Sequence, residues 1–376
     1  MTNETRERHR TRRRIPPPAL LPAADRDLLA RGMPRALILL IGGASAVILL
    51  AGMSIASWLI GPLFLAMVMV IALSPVPRWL RGHGVPSWAA TTLLILLVYA
   101  LVAALVLVLV VSVAQLATVL PTYAARANDL LASVTAFLSR HGIDPARLRP
   151  ATDQLDFGKL AGYVETLLGA VTSVGTGVLF LLSLLLFVSI EATTARKRQL
   201  AIAADRPALS AALSSFVRNT RRYLLMTTLF GFIVAVLDTL GLVILDVPLP
   251  VLWGLLSFMT NYIPNIGFIL GLVPPALLAL LDGGWPRLIA VVVVYCVLNF
   301  VVQSVIQPRF VGGAVGLSTI ATFVSLVLWG WILGPLGAIL AVPLTLLAKA
   351  LLVDVDPRAR WVDALMGSHP PEPGDG

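Results

Sequence analysis

The sequence predicts an all-α polytopic membrane protein. Two of its apolar runs are broken or re-entrant, and amphipathic helices flank the bilayer on the extracytoplasmic and cytoplasmic sides. Three observations carry this. Charged residues make up only 12% of the 376-residue chain and hydrophobic ones 58%, whereas soluble domains are about a quarter charged. Mean hydropathy is +0.91. Seven runs are long enough for a helix to cross the hydrocarbon: Ala36–Leu73, Ala89–Val113, Val171–Ile190, Leu224–Leu245, Leu249–Leu281, Leu288–Ile306 and Thr319–Val353. A crossing needs about 20 apolar residues for about 30 Å.

Residues 1–35 form a basic, Pro-rich arm, "RERHRTRRRIPPP". No aromatic residue interleaves with these arginines, so the arm reads as a positive-inside signal and not as a nucleic-acid contact. The first membrane helix that follows is expected to stay uncleaved. Residues 36–113 hold the first three transmembrane helices. Ala36–Leu73 is too long for one span, and "AGMSIASW" (Ala51 to Trp58) divides it. The next loop carries Arg78, Arg81 and His83, which suits the cytoplasm.

Residues 114–170 change character. Leu116, Leu120, Tyr123, Ala127, Leu130, Val134 and Phe137 recur at helical steps on one face. Gly142 and Pro145 are expected to end that helix. A weaker one follows through Leu160, Tyr163, Val164, Leu167 and Leu168. Acids and bases balance over this segment, so it is placed outside. After the span 171–190 the chain turns basic: Arg196, Lys197, Arg198, Arg206, Arg218, Arg221 and Arg222 face only Glu191 and Asp205. Residues 191–222 are therefore placed inside, with Asp205 as helix cap. Residues 223–353 form the C-terminal core and 354–376 a cytoplasmic tail with Arg358 and Arg360. In the core, Leu249–Leu281 and Thr319–Val353 exceed one straight span. Broken crossings and re-entrant hairpins both bring the tail inside. They differ in the side that receives Arg287 and Arg309, and single arginines do not decide it.

The candidate site lies in those two runs. "NYIPNIG" sets Asn261, Tyr262, Pro264, Asn265 and Gly267 inside one of them, and "GPLG" sets Gly334, Pro335 and Gly337 inside the other. Proline removes a backbone donor, and in hydrocarbon such a break is tolerated only where protein or a water-filled cavity satisfies it. A packed proline kink and a substrate path account equally well for the first break by itself. The two runs echo each other, "PNIGFILGLVPPALLA" against "GPLGAILAVPLTLLAK", and paired interrupted helices point to a transport site. Between them Asn299, Gln303 and Gln307 form a polar stripe at four-residue spacing. Interhelical hydrogen bonding alone explains such a stripe, but beside two breaks it favours a path. Asp238 is the one acid well inside a predicted span, a possible ion-coupling group. It lies eight residues before Asp246, which favours an interfacial or helix-pairing role over proton coupling. The single cysteine, Cys296, excludes an intrachain disulfide.

The stretches Trp253–Leu281 and Asn299–Leu352 resemble the autoinducer-2 exporter family, also called the PerM-like or UPF0118 permeases. Thr319 departs from the family's frequent proline after "GLS". The resemblance implies about eight transmembrane helices, a bacterial inner-membrane location with both termini cytoplasmic, and a homo-oligomer in membrane lipid. Its implied function is export of a small polar organic molecule resembling autoinducer-2. A sodium or lithium/proton antiporter is the alternative, and a non-transporting membrane scaffold is a third. No Walker A pattern appears, and neither cofactor nor metal is expected. An intramembrane protease is set aside, because His9, His83, His141 and His369 all fall outside the spans and Asp238 has no acidic partner.

Overall fold

The computed structural model describes residues 35–140, 177–192, 194–264, 266–307 and 317–356, together with 359 and 362. The basic arm, the expected cap at Gly142, the helix through Leu160–Leu168, Asn265, Arg309 and the tail arginines lie outside the described residues. Every regular element among the described residues is helical.

Helix α1, Arg35–Ile55, and α2, Ser57–Leu73, meet at Ala56, inside the small-residue stretch that divides the first run. A short α3, Pro75–Gly82, opens on proline and leads to α4, Ser87–Arg140. At 54 residues and about 1.5 Å per residue, α4 is far longer than a bilayer is thick. The expected span and the amphipathic segment are thus one continuous helix. No glycine interrupts the sequence from Trp88 to Arg140, and Pro121 is carried inside the helix. Its apolar first half packs with α2 and α5, Gly177–Ala192, through Leu94, Val98, Val102, Ala66 and Leu185. The Tyr99 hydroxyl donates to the Leu182 carbonyl at 2.7 Å.

Past α5 the chain bends by 62° into α6, Ala195–Asp205, and doubles back into α7, Pro207–Ile244. Pro207 occupies the first turn, where its missing donor is harmless. Helix α7 is the centre of the core and packs against α2, α6, α8, α9 and α12. The remaining helices are α8, Pro250–Thr260; α9, Gly267–Asn299; α10, Thr319–Leu333; α11, Pro335–Ile339; and α12, Ala341–Leu352. Ser318 caps α10, its hydroxyl accepting from Ala321 N at 3.2 Å. Gly284, at φ 68° and ψ −164°, divides α9 into two arms.

By length and composition, four stretches suit a crossing: Ser57–Gly82, Ser87–Leu116, Pro207–Ile244 and Gly267–Ile306. The bent pair Gly177–Ala192 with Lys197–Asp205 adds a fifth. Leu40–Ile55, Pro250–Thr260, Thr319–Leu333 and Ala341–Leu352 are shorter apolar helices.

The choice left open for Leu249–Leu281 is settled by its two ends. Arg287, just past the run, donates to the carbonyl of Asp246, just before it, at 3.3 Å. Arg287 also pairs with Asp282. The run therefore starts and finishes at the same end of α7, as a helical hairpin. Arg126 Nη1 joins Asp282 at 2.5 Å and the Tyr123 hydroxyl donates to the same oxygen at 3.1 Å, so the far half of α4 straps the hairpin base. Beneath this clasp Tyr123, Leu242, Trp253, Ala279, Val291 and Tyr295 form a buried cluster. Thr319–Leu352 is also a hairpin. Trp329 Nε1 reaches Thr345 Oγ1 across its arms at 3.0 Å.

Candidate functional site

The first hairpin turns at Asn261–Ile266. Several of its backbone donors are satisfied locally: Ile263 N donates to Thr260 O at 2.8 Å, Ile266 N to Pro264 O at 2.8 Å and Gly267 N to Ile263 O at 2.9 Å. The side chain of Asn261 bonds elsewhere. Its Nδ2 donates to the Thr227 carbonyl of α7 at 3.2 Å, and its Oδ1 accepts from Gln303 Nε2 at 3.2 Å. Gln303 Nε2 also donates to Asn299 Oδ1 at 2.8 Å, and Asn299 Nδ2 donates to the Tyr295 carbonyl at 2.9 Å. Tyr262 is held beside this ladder. Its hydroxyl lies 2.6 Å from Thr228 Oγ1, and its carbonyl accepts from the Tyr223 hydroxyl at 3.4 Å.

These partners fix the location of the turn. Tyr223, Thr227 and Thr228 directly follow Arg221 and Arg222. The turn thus packs against the middle of α7, just past Arg221 and Arg222 and away from the Asp246 end from which the hairpin starts.

Asp238 occupies a second station, eleven residues along α7 from Thr227 and so about 16 Å away along the axis. It is fully buried, at 0% exposure. The pairing role has a partner: Ser257 Oγ on α8 donates to Asp238 Oδ2 at 2.5 Å. Among the described residues Oδ1 has no hydrogen-bond partner, and neither has the hydroxyl of Tyr295, which is 1% exposed. Tyr295 lies within electrostatic reach of Asp238. Because Asn299 is bonded to the Tyr295 backbone, the two stations adjoin through α9.

The expected residues are thus only partly gathered. Asn261, Tyr262, Asn299 and Gln303 come together; Pro264 forms the turn and Gly267 its base. Gln307 ends the same helix, half-buried. The second break is elsewhere. Gly334 adopts φ 67° and Pro335 opens α11, whose Leu336 lies against Gly61 of α2. Gly337 packs against the Trp329 carbonyl. The two breaks therefore have different packing partners. A groove lined by Ser318, Val324, Ser325, Trp329 and Thr345 opens between α10 and α12. It is mostly apolar and lies apart from the amide ladder. Among the described residues no group of His, Cys, Asp and Glu is arranged to hold a metal.

Sequence reasoning missed Ser257, Tyr295, Tyr223, Thr227 and Thr228. Ser257 precedes Asn261 by four residues and Tyr295 precedes Asn299 by four, so helical spacing from the predicted residues points to both.

A family model described as AI-2E family transporter matches residues 44–355. Among curated relatives, YhhT of Escherichia coli (strain K12), a transport protein by its description, is 31% identical over 310 residues, covering 81% of this chain and 87% of its own. The AI-2 transport protein TqsA of the same strain is 30% identical over 306 residues, covering 81% and 89%. YrrI of Bacillus subtilis (strain 168), again described as a transport protein, is 27% identical over 309 residues, covering 78% and 85%.

Proposed function

We propose, given that the chain belongs to the AI-2E family of transporters, that it exports a small polar organic molecule resembling autoinducer-2 across the bacterial inner membrane. The observation that carries this reading is the amide ladder Asn261–Gln303–Asn299 at the turn of the hairpin. Amides present paired donors and acceptors without net charge, which suits a neutral polyol better than an ion. The similarity to a protein named for AI-2 transport adds to it. Pro264, Gly267 and the Gly334–Pro335–Gly337 break belong to the same path in this reading, and the working unit is a homo-oligomer.

The deciding experiment compares, in one set of proteoliposomes, uptake of labelled autoinducer-2 with sodium-dependent proton movement. Signal uptake without sodium-linked proton flux supports export of the organic molecule. The reverse supports a sodium or lithium/proton antiporter, the reading that Asp238 and its partnerless oxygen favour. Absence of both supports a scaffold.

Asn261→Ala is expected to cut flux about tenfold while leaving the yield of folded protein unchanged. Loss of a buried polar partner is worth about 1–3 kcal/mol, and about 1.4 kcal/mol in a barrier is tenfold in rate. If the amide only braces the hairpin, the variant will lose stability and its surviving fraction will transport normally.

Orientation follows from charge. With both termini cytoplasmic, the protruding half of α4 is outside and α6 inside. On a Cys296→Ala background, Ser139→Cys should react with an impermeant thiol reagent only from outside and Leu200→Cys only from inside; both positions are exposed. Labelling of Ser139→Cys from the cytoplasmic side alone would invert the map.

A further inference from the structure

Past Asn299, α9 does not continue as an α-helix. Phe300–Ile306 is π-helical, and Gln307 N donates to Val302 O, five residues back. A π segment fits an extra residue into the helix, and such segments occur frequently at functional sites. Sharp departures from α geometry usually follow proline, glycine or an inserted group. Neither proline nor glycine lies within Phe300–Ile306, while Pro308, which has no N–H to offer Ser304 O, follows directly after Gln307. The wide turn falls on the amide ladder itself. It begins directly after Asn299 and contains Gln303, the residue that bonds both Asn299 and Asn261. One point within it is anchored: Val302, 2% exposed, packs with Phe230 and Val234 of α7. Val301, Ser304 and Val305 are exposed, so no packed side chain holds those positions in one register.

We infer that Phe300–Ile306 is a register switch that latches and releases the hairpin turn. The inference rests on the reading of the amide ladder as part of the substrate path. In the π form Gln303 reaches Asn261 and ties the turn to α9. In the α form the same residues wind more tightly, each displaced by up to about 100° around the axis per residue of register, and Gln303 swings off Asn261. Both forms keep a helical hydrogen-bond ladder, so the backbone remains satisfied within the membrane in either state. An element with two packed arrangements is what alternating access requires. The sequence stripe Asn299–Gln303–Gln307, spaced for an α-helix, fits the released form, and the observed geometry is the latched one.

The test uses the full chain in proteoliposomes on a Cys296→Ala background. Ile263→Cys, at the half-buried turn, reports access through its rate of reaction with a small water-soluble thiol reagent. Deleting Ser304 removes the extra residue and fixes the segment as an α-helix, with the residues on either side kept on their faces. A released state that is minor in the parent, at 0.1–10% of molecules, then becomes dominant, and the reaction is expected to accelerate about tenfold or more. An equal, measurable rate in parent and deletion variant overturns the switch and leaves the path intact. No reaction in either overturns the path reading and the switch with it. If the deletion variant does not fold, hydrogen exchange on the parent decides. Amides of 300–306 are expected to exchange about tenfold or more faster than those of 288–299, and equal protection overturns the switch.

Discussion

Gly267→Ala is expected to lower the stability of the protein by about 3 kcal/mol, the upper end of the usual range for overpacking. A Cβ on Gly267 would lie 1.8 Å from the Thr260 carbonyl oxygen and 2.7 Å from its carbon. The obstacle is backbone, so no side chain can rotate out of the way. Gly267 N is also fixed on Ile263 O at 2.9 Å, which keeps the two arms from sliding apart without opening the turn. The same collision recurs in the second hairpin, where a Cβ on Gly337 would lie 1.9 Å from the Trp329 carbonyl oxygen. Thermal unfolding of purified protein should show both alanine variants melting well below the parent. Gly42→Ala, with nothing within 4 Å of its added carbon, should not. An unchanged midpoint for Gly267→Ala would mean that the arms are not this close, and the hairpin geometry would fall with it.

The two hairpins also mark where the sequence stopped being informative. That Leu249–Leu281 and Thr319–Val353 must break was legible, because each is too long for one crossing and each carries proline and glycine at its centre. Whether a broken run crosses or returns was not. Hydropathy is the same in both cases, and the deciding contact joins Arg287 to Asp246, 41 residues apart. The ladder was half legible for the same reason. The stripe Asn299–Gln303 is local and shows in the spacing, whereas its bond to Asn261 spans 42 residues. The burial of Asp238 was not legible, since distance along a helix says nothing of which neighbours cover it. Helix α8 supplies one of them, Ser257. Periodicity also suggested a boundary near Val113 where α4 continues without a break.

If Asp238 carries a coupling proton, Asp238→Asn abolishes flux driven by a pH gradient while leaving folded protein and downhill substrate exchange intact. The substitution is nearly isosteric, and its amide oxygen still accepts the Ser257 hydroxyl that now donates at 2.5 Å, so the pin between α7 and α8 survives. What is lost is the capacity to take up and release a proton. Acids within spans are costly and mark ion or proton pathways by default. Asp238 has the further mark of a second oxygen without a partner among the described residues, and the buried Tyr295 hydroxyl is in the same condition. Ser257→Ala separates coupling from pairing. It removes the pin but not the carboxyl, so it should reduce stability by about 1–3 kcal/mol and keep the pH response. Tyr295→Phe removes the buried hydroxyl, and should slow the gradient-driven rate without affecting downhill exchange. If Asp238→Asn transports at the parent rate under a pH gradient, no other acid in the predicted spans is left to carry the proton. Asp238 is then a helix-pairing residue, and its loss should register only in the unfolding midpoint.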